Sequence, residues 1–251
     1  MKTSGNTVLI TGGATGIGFA LAEAFLEAGN EVIICGRREN KLLQAKEKLA
    51  GLHTRVCDVA KKGERRALLK WATRSFEGLN ILINNAGIQR EHDFAEGAVE
   101  LSDLESEIKI NLEAPIHLSA LSAPHLKEKK EAAIINVTSG LAFLPLALFP
   151  VYCATKAALH SFSLSLRHQL SETSVRVYEV APPLVDTELH DYMPEERRRE
   201  LRGIAPEEVA RATLMGLETG ELEIAVGMAR DLRAASRSDP EGAFRGMNSP
   251  R

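Results

Sequence analysis

The chain has 251 residues, enough for one large domain with a sizeable core. Hydrophobic residues make up 44%, charged residues 26%, and the net charge is -3. These values exclude a mainly disordered chain and a globally basic nucleic-acid binder. Cys35, Cys57 and Cys153 are odd in number and widely spaced, and no CxxC or Cys/His cluster occurs. That pattern argues for reduced thiols rather than a disulfide framework or a structural zinc site. His92, His117, His125, His160, His168 and His190 have no mutual ligand spacing, so no metal is expected. The longest apolar tract, Leu141 to Ala154, is short and carries Pro145 and Pro150, so no membrane span is expected. No basic-then-apolar region precedes the first strand, and the expected location is the cytoplasm.

In chain order, Thr7 to Ile10 reads as a strand that ends in a glycine-rich turn, Thr11 to Gly18. Ile17, Ala20, Leu21, Ala24, Phe25 and Ala28 then mark one stripe of a helix, closed by Gly29. Strands are expected at Glu31 to Cys35, Thr54 to Cys57, Ile81 to Ile83, Ala133 to Val137, Val175 to Val180 and Glu223 to Val226. Helices are expected at Lys41 to Ala50, Lys62 to Phe76, roughly 100 to 127, Thr155 to Leu170 and Pro206 to Glu218. The strands are continuous apolar runs, as buried parallel strands are. Their alternation with helices predicts a doubly wound, Rossmann-type α/β sheet of about seven strands, helices on both faces, in one domain spanning 1–251. Residues 184–205 include a charged run and read as a flap, and 229–251 as an irregular tail.

The glycine turn sits between a strand and a helix. Glycine there permits close approach of backbone to phosphate, and the helix N-terminus offers free N–H groups to a pyrophosphate. Gly12, Thr15, Gly16, Ile17 and Gly18 are the candidate contacts, a purely structural turn being the plainer alternative. The end of the second strand reads Cys35-Gly36-Arg37-Arg38, without the acid that would bond a ribose 2′-hydroxyl. Arg37 and Arg38 would suit a 2′-phosphate, so NADP(H) is expected ahead of NAD(H); solvated helix-start charges are the alternative. Tyr152 and Lys156 stand four residues apart, on one face of a helix. A nearby ammonium favours phenolate and should lower the tyrosine pKa from its ordinary ~10, fitting Tyr152 for acid/base work.

With these motifs in this order, the chain resembles the classical short-chain dehydrogenase/reductase family from about residue 5 to 228. The resemblance implies a Rossmann fold, a nicotinamide cofactor and hydride transfer to or from a small carbonyl or alcohol substrate. Ser139, thirteen residues before Tyr152, matches the serine that polarises the carbonyl. Asn111 matches the asparagine that kinks its helix and holds a relay water; a buried polar core residue is the alternative. Asn84-Asn85-Ala86-Gly87 matches the family's NNAG, and Asp58-Val59 the adenine position, where Asp58 could instead cap a helix. Lys156 would also hold the nicotinamide ribose. Pro182, Val185 and Thr187 match the nicotinamide-contacting segment, with Pro183 where the family has glycine, a residue with fixed φ and no N–H. Family dimers pair the helix after Tyr152, whose small and apolar circumference here fits a homodimer or homotetramer.

The stretches Glu31 to Arg37 (EVIICGR), Val137 to Phe143 (VTSGLAF), Val151 to Phe162 (VYCATKAALHSF) and Ala181 to Thr187 (APPLVDT) are similar to the DltE-type oxidoreductases within that family. Relatives of that group sit in the operon for teichoic acid D-alanylation in some Gram-positive bacteria. A cofactor-sensing protein or a scaffold associated with such a cell-envelope operon is therefore the alternative to an enzyme. Leu141, Phe143, Leu144, Leu146, Leu148 and Phe149 would wall the substrate site or serve as ordinary core.

Overall fold

The apolar runs become buried strands of one parallel sheet. The computed structural model describes residues 1–95, 101–196 and 202–249. Its strands are β1 (Thr7–Thr11), β2 (Glu31–Gly36), β3 (His53–Val56), β4 (Leu79–Asn84), β5 (Ala132–Val137), β6 (Val175–Ala181) and β7 (Glu223–Ala225). Their order is β3-β2-β1-β4-β5-β6-β7, all parallel. Every residue of β1 and β5 is buried, as strands covered on both faces require.

Helices α1 (Gly16–Glu27), α2 (Glu39–Lys48), α3 (Lys62–Ser75), α4 (Leu101–Ile108), α5 (Ala114–Lys127), α6 (Pro150–Gln169) and α7 (Pro206–Thr219) follow the expected alternation. Among the described residues, no helix is long and apolar enough to cross a membrane. One core face joins β-strand residues such as Val8, Ile34 and Ile83 to Leu21 and Phe25 of α1 and Val209 and Leu217 of α7. The other joins Leu9, Leu82 and Ile134 to Leu68 of α3, Leu118 of α5 and Leu166 of α6. Strand order reverses between β1 and β4, so the connections on either side of that point diverge and leave a crevice at the carboxyl ends.

Three expectations are corrected. The helix expected from about 100 to 127 is not continuous: a π-helical turn, Lys109–Glu113, separates α4 from α5 at Asn111, where the family resemblance implied a kink. Helix α6 begins at Pro150 rather than Thr155, because proline at the first helical position loses no needed N–H. The tail expected to be irregular forms α8 (Met228–Ser238) and α9 (Pro240–Asn248). Its polar composition hid a narrow inner stripe: Ala229 is fully buried, and Ala229 and Leu232 lie against Gly140. Asn248 then clamps the loop after β5, accepting from the Ala147 N–H at 2.6 Å and donating to the Pro145 carbonyl at 3.1 Å.

The expected flap is anchored at its base. Val185 and Ile204 form a parallel bridge, and the Gly203 N–H donates to Asp186 Oδ1 at 2.7 Å. Positions 197–201 of the flap, with part of its charge run, lie outside the described residues.

Candidate active site

A cleft of about 400 Å³ opens at the crevice. The glycine turn forms its floor. A Cβ on Gly12 would stand 2.9 Å from the Ala86 Cα, and one on Gly18 would stand 2.3 Å from the Gly12 carbonyl oxygen. Only glycine lets the turn, the start of α1 and the NNAG segment approach this closely. Asn85 locks the arrangement, its Nδ2 donating to the carbonyls of Thr11 at 2.9 Å and Gly12 at 3.2 Å.

Of the sequence-derived contacts, Gly12, Thr15, Gly16, Ile17, Gly18, Arg37, Arg38, Val59, Asn85, Ala86, Gly87, Tyr152, Lys156, Pro182 and Thr187 all line this cleft. Asp58 is absent from the lining; its Oδ1 accepts from the Ala60 N–H at 3.0 Å, a local turn bond. Val185 faces an adjoining depression rather than this cleft. Sequence reasoning did not single out Glu188, Arg90, Thr138 or Tyr192, which line the cleft too. Glu188 accepts from Arg38 at 2.8 Å and from Lys41 at 2.7 Å. Lys41 and Arg38 hold the Glu188 carboxyl below the usual carboxylate range, against the opposing effect of burial. Arg37 is exposed and has no ion pair among the described residues.

The catalytic candidates come from three places. Tyr152 and Lys156 project from α6 and are both buried. Ser139, just past β5, is buried, and its Oγ accepts from the Leu141 N–H at 3.1 Å. Asn111 sits in the π-helical turn with no exposed surface. Its Oδ1 accepts from the Ile88 N–H at 2.9 Å, and its Nδ2 donates to the Ile88 carbonyl at 2.8 Å and to Thr155 Oγ1 at 3.2 Å. Ser139 and Asn111 are not among the residues that line the cleft, although the Ser139 hydroxyl lies within hydrogen-bond reach of Tyr152, which does. Gly87 lies beside both Asn111 and Lys156: a Cβ there would stand 3.4 Å from Asn111 Oδ1 and 3.6 Å from Lys156 Nζ.

Electrostatics correct one expectation. Lys156 does not lower the Tyr152 pKa in the protein alone. Burial raises it, and the neighbouring Ser139 hydroxyl offsets part of the rise. Lys156 Nζ lies 5.6 Å from the Tyr152 ring centre and donates to the Val137 carbonyl at 2.8 Å. Burial brings its own pKa down to about 8, with Glu179 opposing that fall.

Behind this group, the fully buried Glu179 accepts from Thr138 Oγ1 at 2.6 Å and pairs with His160 Nδ1 at 2.7 Å. Glu223 lies close enough for ligand atoms of His160, Glu179 and Glu223 to fall within 4.8 Å of one another. Thr138, His160 and Arg233 already partner these carboxylates. The loop expected to wall the substrate site does not line the cleft itself. Phe149 instead packs with Tyr152, Cys153 and Met193, flanked by Leu141 and Leu146. Phe143 stands edge-on to His160, Leu144 is buried, and Leu148 is exposed.

The profile of the short chain dehydrogenase family matches residues 6–198. The chain is 54% identical over 249 residues to "Uncharacterized oxidoreductase DltE" of Bacillus subtilis (strain 168), covering 99% of each chain. A short chain dehydrogenase from Burkholderia cenocepacia J2315, solved in complex with NADP, is 27% identical with a TM-score of 0.85, covering 100% of both chains. A short chain dehydrogenase/reductase from Burkholderia phymatum, solved with NAD, is 22% identical with a TM-score of 0.87 over 100% of this chain and 98% of that one, a likeness of fold. This chain belongs to the short chain dehydrogenase family.

Proposed function

We propose that this protein transfers hydride between a nicotinamide cofactor, NADP(H) in preference to NAD(H), and a small carbonyl or alcohol substrate. The observation that carries the reading is the convergence of Tyr152 and Lys156 on the cleft whose floor is the glycine turn. The residues present fit the cofactor. The α1 N-terminus opens on the cleft without a side-chain cap, so its N–H groups are available to phosphate. Arg37 stands at the tip of β2 without an acidic partner among the described residues, whereas its neighbour Arg38 is paired with Glu188.

When bound, the cofactor would supply the hydride that a carbonyl carbon accepts. Tyr152 donates its proton to the carbonyl oxygen, and its neutral phenol at ordinary pH suits that direction. The Ser139 hydroxyl donates a hydrogen bond to the same oxygen as negative charge develops there. Lys156 would hold the nicotinamide ribose, and with Asn111, which also lies beside Gly87, would hold a water that returns the proton. Pro182 and Thr187, with Val185 on the adjoining depression, would support the nicotinamide side, and Val59, with Asp58 next to it in the chain, the adenine side. The segment 184–205 acts as a flap, since Leu189 and Tyr192 line the cleft above an anchored base. A purely sensing or scaffolding protein has no use for Ser139, Tyr152 and Lys156 together.

Exposed Ile116 of α5 and Leu164 of α6 support a homodimer or homotetramer through these helices. Free Cys35, Cys57 and Cys153 suit a reducing cytoplasm. The deciding experiment is a panel of aldehydes, ketones and alcohols followed at the nicotinamide absorbance with each cofactor. Turnover of at least one member, with NADPH or NADP+ favoured, is expected; failure to bind either nicotinamide would remove the reading.

A further inference from the structure

The substrate end of the cleft carries a cation that the hydride-transfer chemistry does not use. Arg90 follows the NNAG segment and lines the cleft with Ile88, Tyr152 and Lys156. Its backbone is fixed from two directions. The Arg90 N–H donates to Glu107 Oε1 at 3.2 Å, and Glu107 is fully buried on α4. Glu107 Oε2 pairs with buried His92 at 2.7 Å, and the His92 N–H donates to the Leu148 carbonyl at 3.3 Å. The segment 88–92 is thus tied both to α4 and to the loop after β5.

The guanidinium itself is lightly engaged. Nη1 donates to the Gln89 carbonyl at 3.0 Å, and the group lies 5.0 Å from the ring centre of Tyr192, on the flap. No carboxylate lies within 4.0 Å of it among the described residues, Glu107 being taken by the backbone N–H. Of the other cations that line the cleft, Arg38 is paired with Glu188 and Lys156 donates to the Val137 carbonyl, while Arg37, beside the glycine turn, also lacks an ion pair among the described residues. Glu188 and Asp191 also line the cleft, and Glu188 is held by Arg38 and Lys41. A guanidinium has five donors in a planar fork, which matches a carboxylate or phosphate in two-point contact.

We propose that Arg90 selects carbonyl substrates carrying an anionic group, a carboxylate or a phosphate, gripped by the guanidinium that Tyr192 backs. This rests on the oxidoreductase reading for the same cleft. Arg90 is a specificity residue, because the anionic group it grips is remote from the carbonyl on which Tyr152 acts.

Benzaldehyde, 4-carboxybenzaldehyde and 4-formylphenyl phosphate share a ring and a carbonyl and differ in charge, so they form the test panel. Wild type should show kcat/KM at least about tenfold higher for one of the charged members, the size of a charge-assisted contact, and which one identifies the group. Arg90→Met should bring that ratio close to one by raising KM for the charged member, and Arg90→Lys should restore part of it. Equal kcat/KM across the panel in wild type overturns the proposal. A second arm needs no turnover: benzoate, phenyl phosphate and benzyl alcohol are titrated calorimetrically into the protein. One of the anions should bind at least about tenfold tighter than the alcohol in wild type and lose that margin in Arg90→Met. Anions no tighter than the alcohol in wild type overturn the proposal even if the Met variant fails to fold. Anion binding without reduction of any aldehyde would strike the oxidoreductase reading and leave the anion site standing.

Discussion

Tyr152 and Lys156 are both buried, and burial disfavours the charged form of each. The phenol is therefore kept protonated and the ammonium is brought to the edge of losing its proton, at about 8. Tyr152→Phe keeps the ring in its pocket and removes the acid, so turnover should fall by ~10²–10⁴ while nicotinamide affinity changes little. Steady-state kinetics beside a cofactor titration check this; turnover near wild type would refute the role. For Lys156, a native pKa below the unfolded value means the unfolded chain binds more protons between about 8 and its ordinary range. Stability should therefore rise with pH in that window, until the raised Tyr152 pKa reverses the trend above ~10, where an unfolded tyrosine ionises first. Nitrogen-15 NMR of labelled lysine side chains should show one amine titrating near 8, absent in Lys156→Met. The Tyr152–Lys156 spacing was legible in the sequence. The sign of the tyrosine shift was not, because it depends on burial, to which Met193 contributes from a separate segment of the chain.

At the scale of elements, the join between α4 and α5 shows how one polar residue shapes a helix. Asn111 closes three hydrogen bonds, two of them to the backbone of Ile88, and the helix widens into a π turn around it. Such a turn frees a side chain to point out of the regular ladder, at a functional site more often than elsewhere. Asn111→Leu would leave the Ile88 N–H and carbonyl without these partners, at about 1–3 kcal/mol each. The expected outcome is a folded protein less stable by about 2–6 kcal/mol, with reduced turnover because the segment beside Gly87 and Lys156 loosens. Thermal denaturation and activity measured together test it; unchanged activity at lowered stability would leave Asn111 a core residue only. The residue's importance was legible from motif spacing, whereas hydrophobic periodicity gave one uninterrupted helix. The two C-terminal helices escaped notice because Ala229 and Leu232 are too few apolar positions to register against Arg230, Asp231 and Arg233. Their inward side is read only once Gly140 lies against it.

Across the whole molecule, the order of motifs follows from the sheet: each lies at or just beyond a strand's carboxyl end or on the helix that follows. What the sequence could not show is contact between distant segments. Cys35 of β2 and Cys57, just past β3, become neighbours, with the Cys35 thiol holding that of Cys57 below its ordinary pKa. Glu188 likewise reaches Arg38 from 150 residues away. This second contact modifies the argument for cofactor choice. Arg38 is already engaged by an acid, so Arg37, unpaired among the described residues, becomes the main candidate for a 2′-phosphate. A charge-assisted bond there should make NADPH bind at least about tenfold tighter than NADH. Arg37→Asp should erase or invert the preference by presenting an acid to the ribose hydroxyl. Glu188→Gln should act the other way, releasing Arg38 and Lys41 toward the phosphate and tightening NADPH more than NADH. Because these groups are partly exposed, both effects should shrink as salt rises, and titrations of both cofactors at two ionic strengths separate them from changes in fold. Equal affinity of wild type for NADPH and NADH at low salt would reduce Arg37 and Arg38 to solvated surface charges.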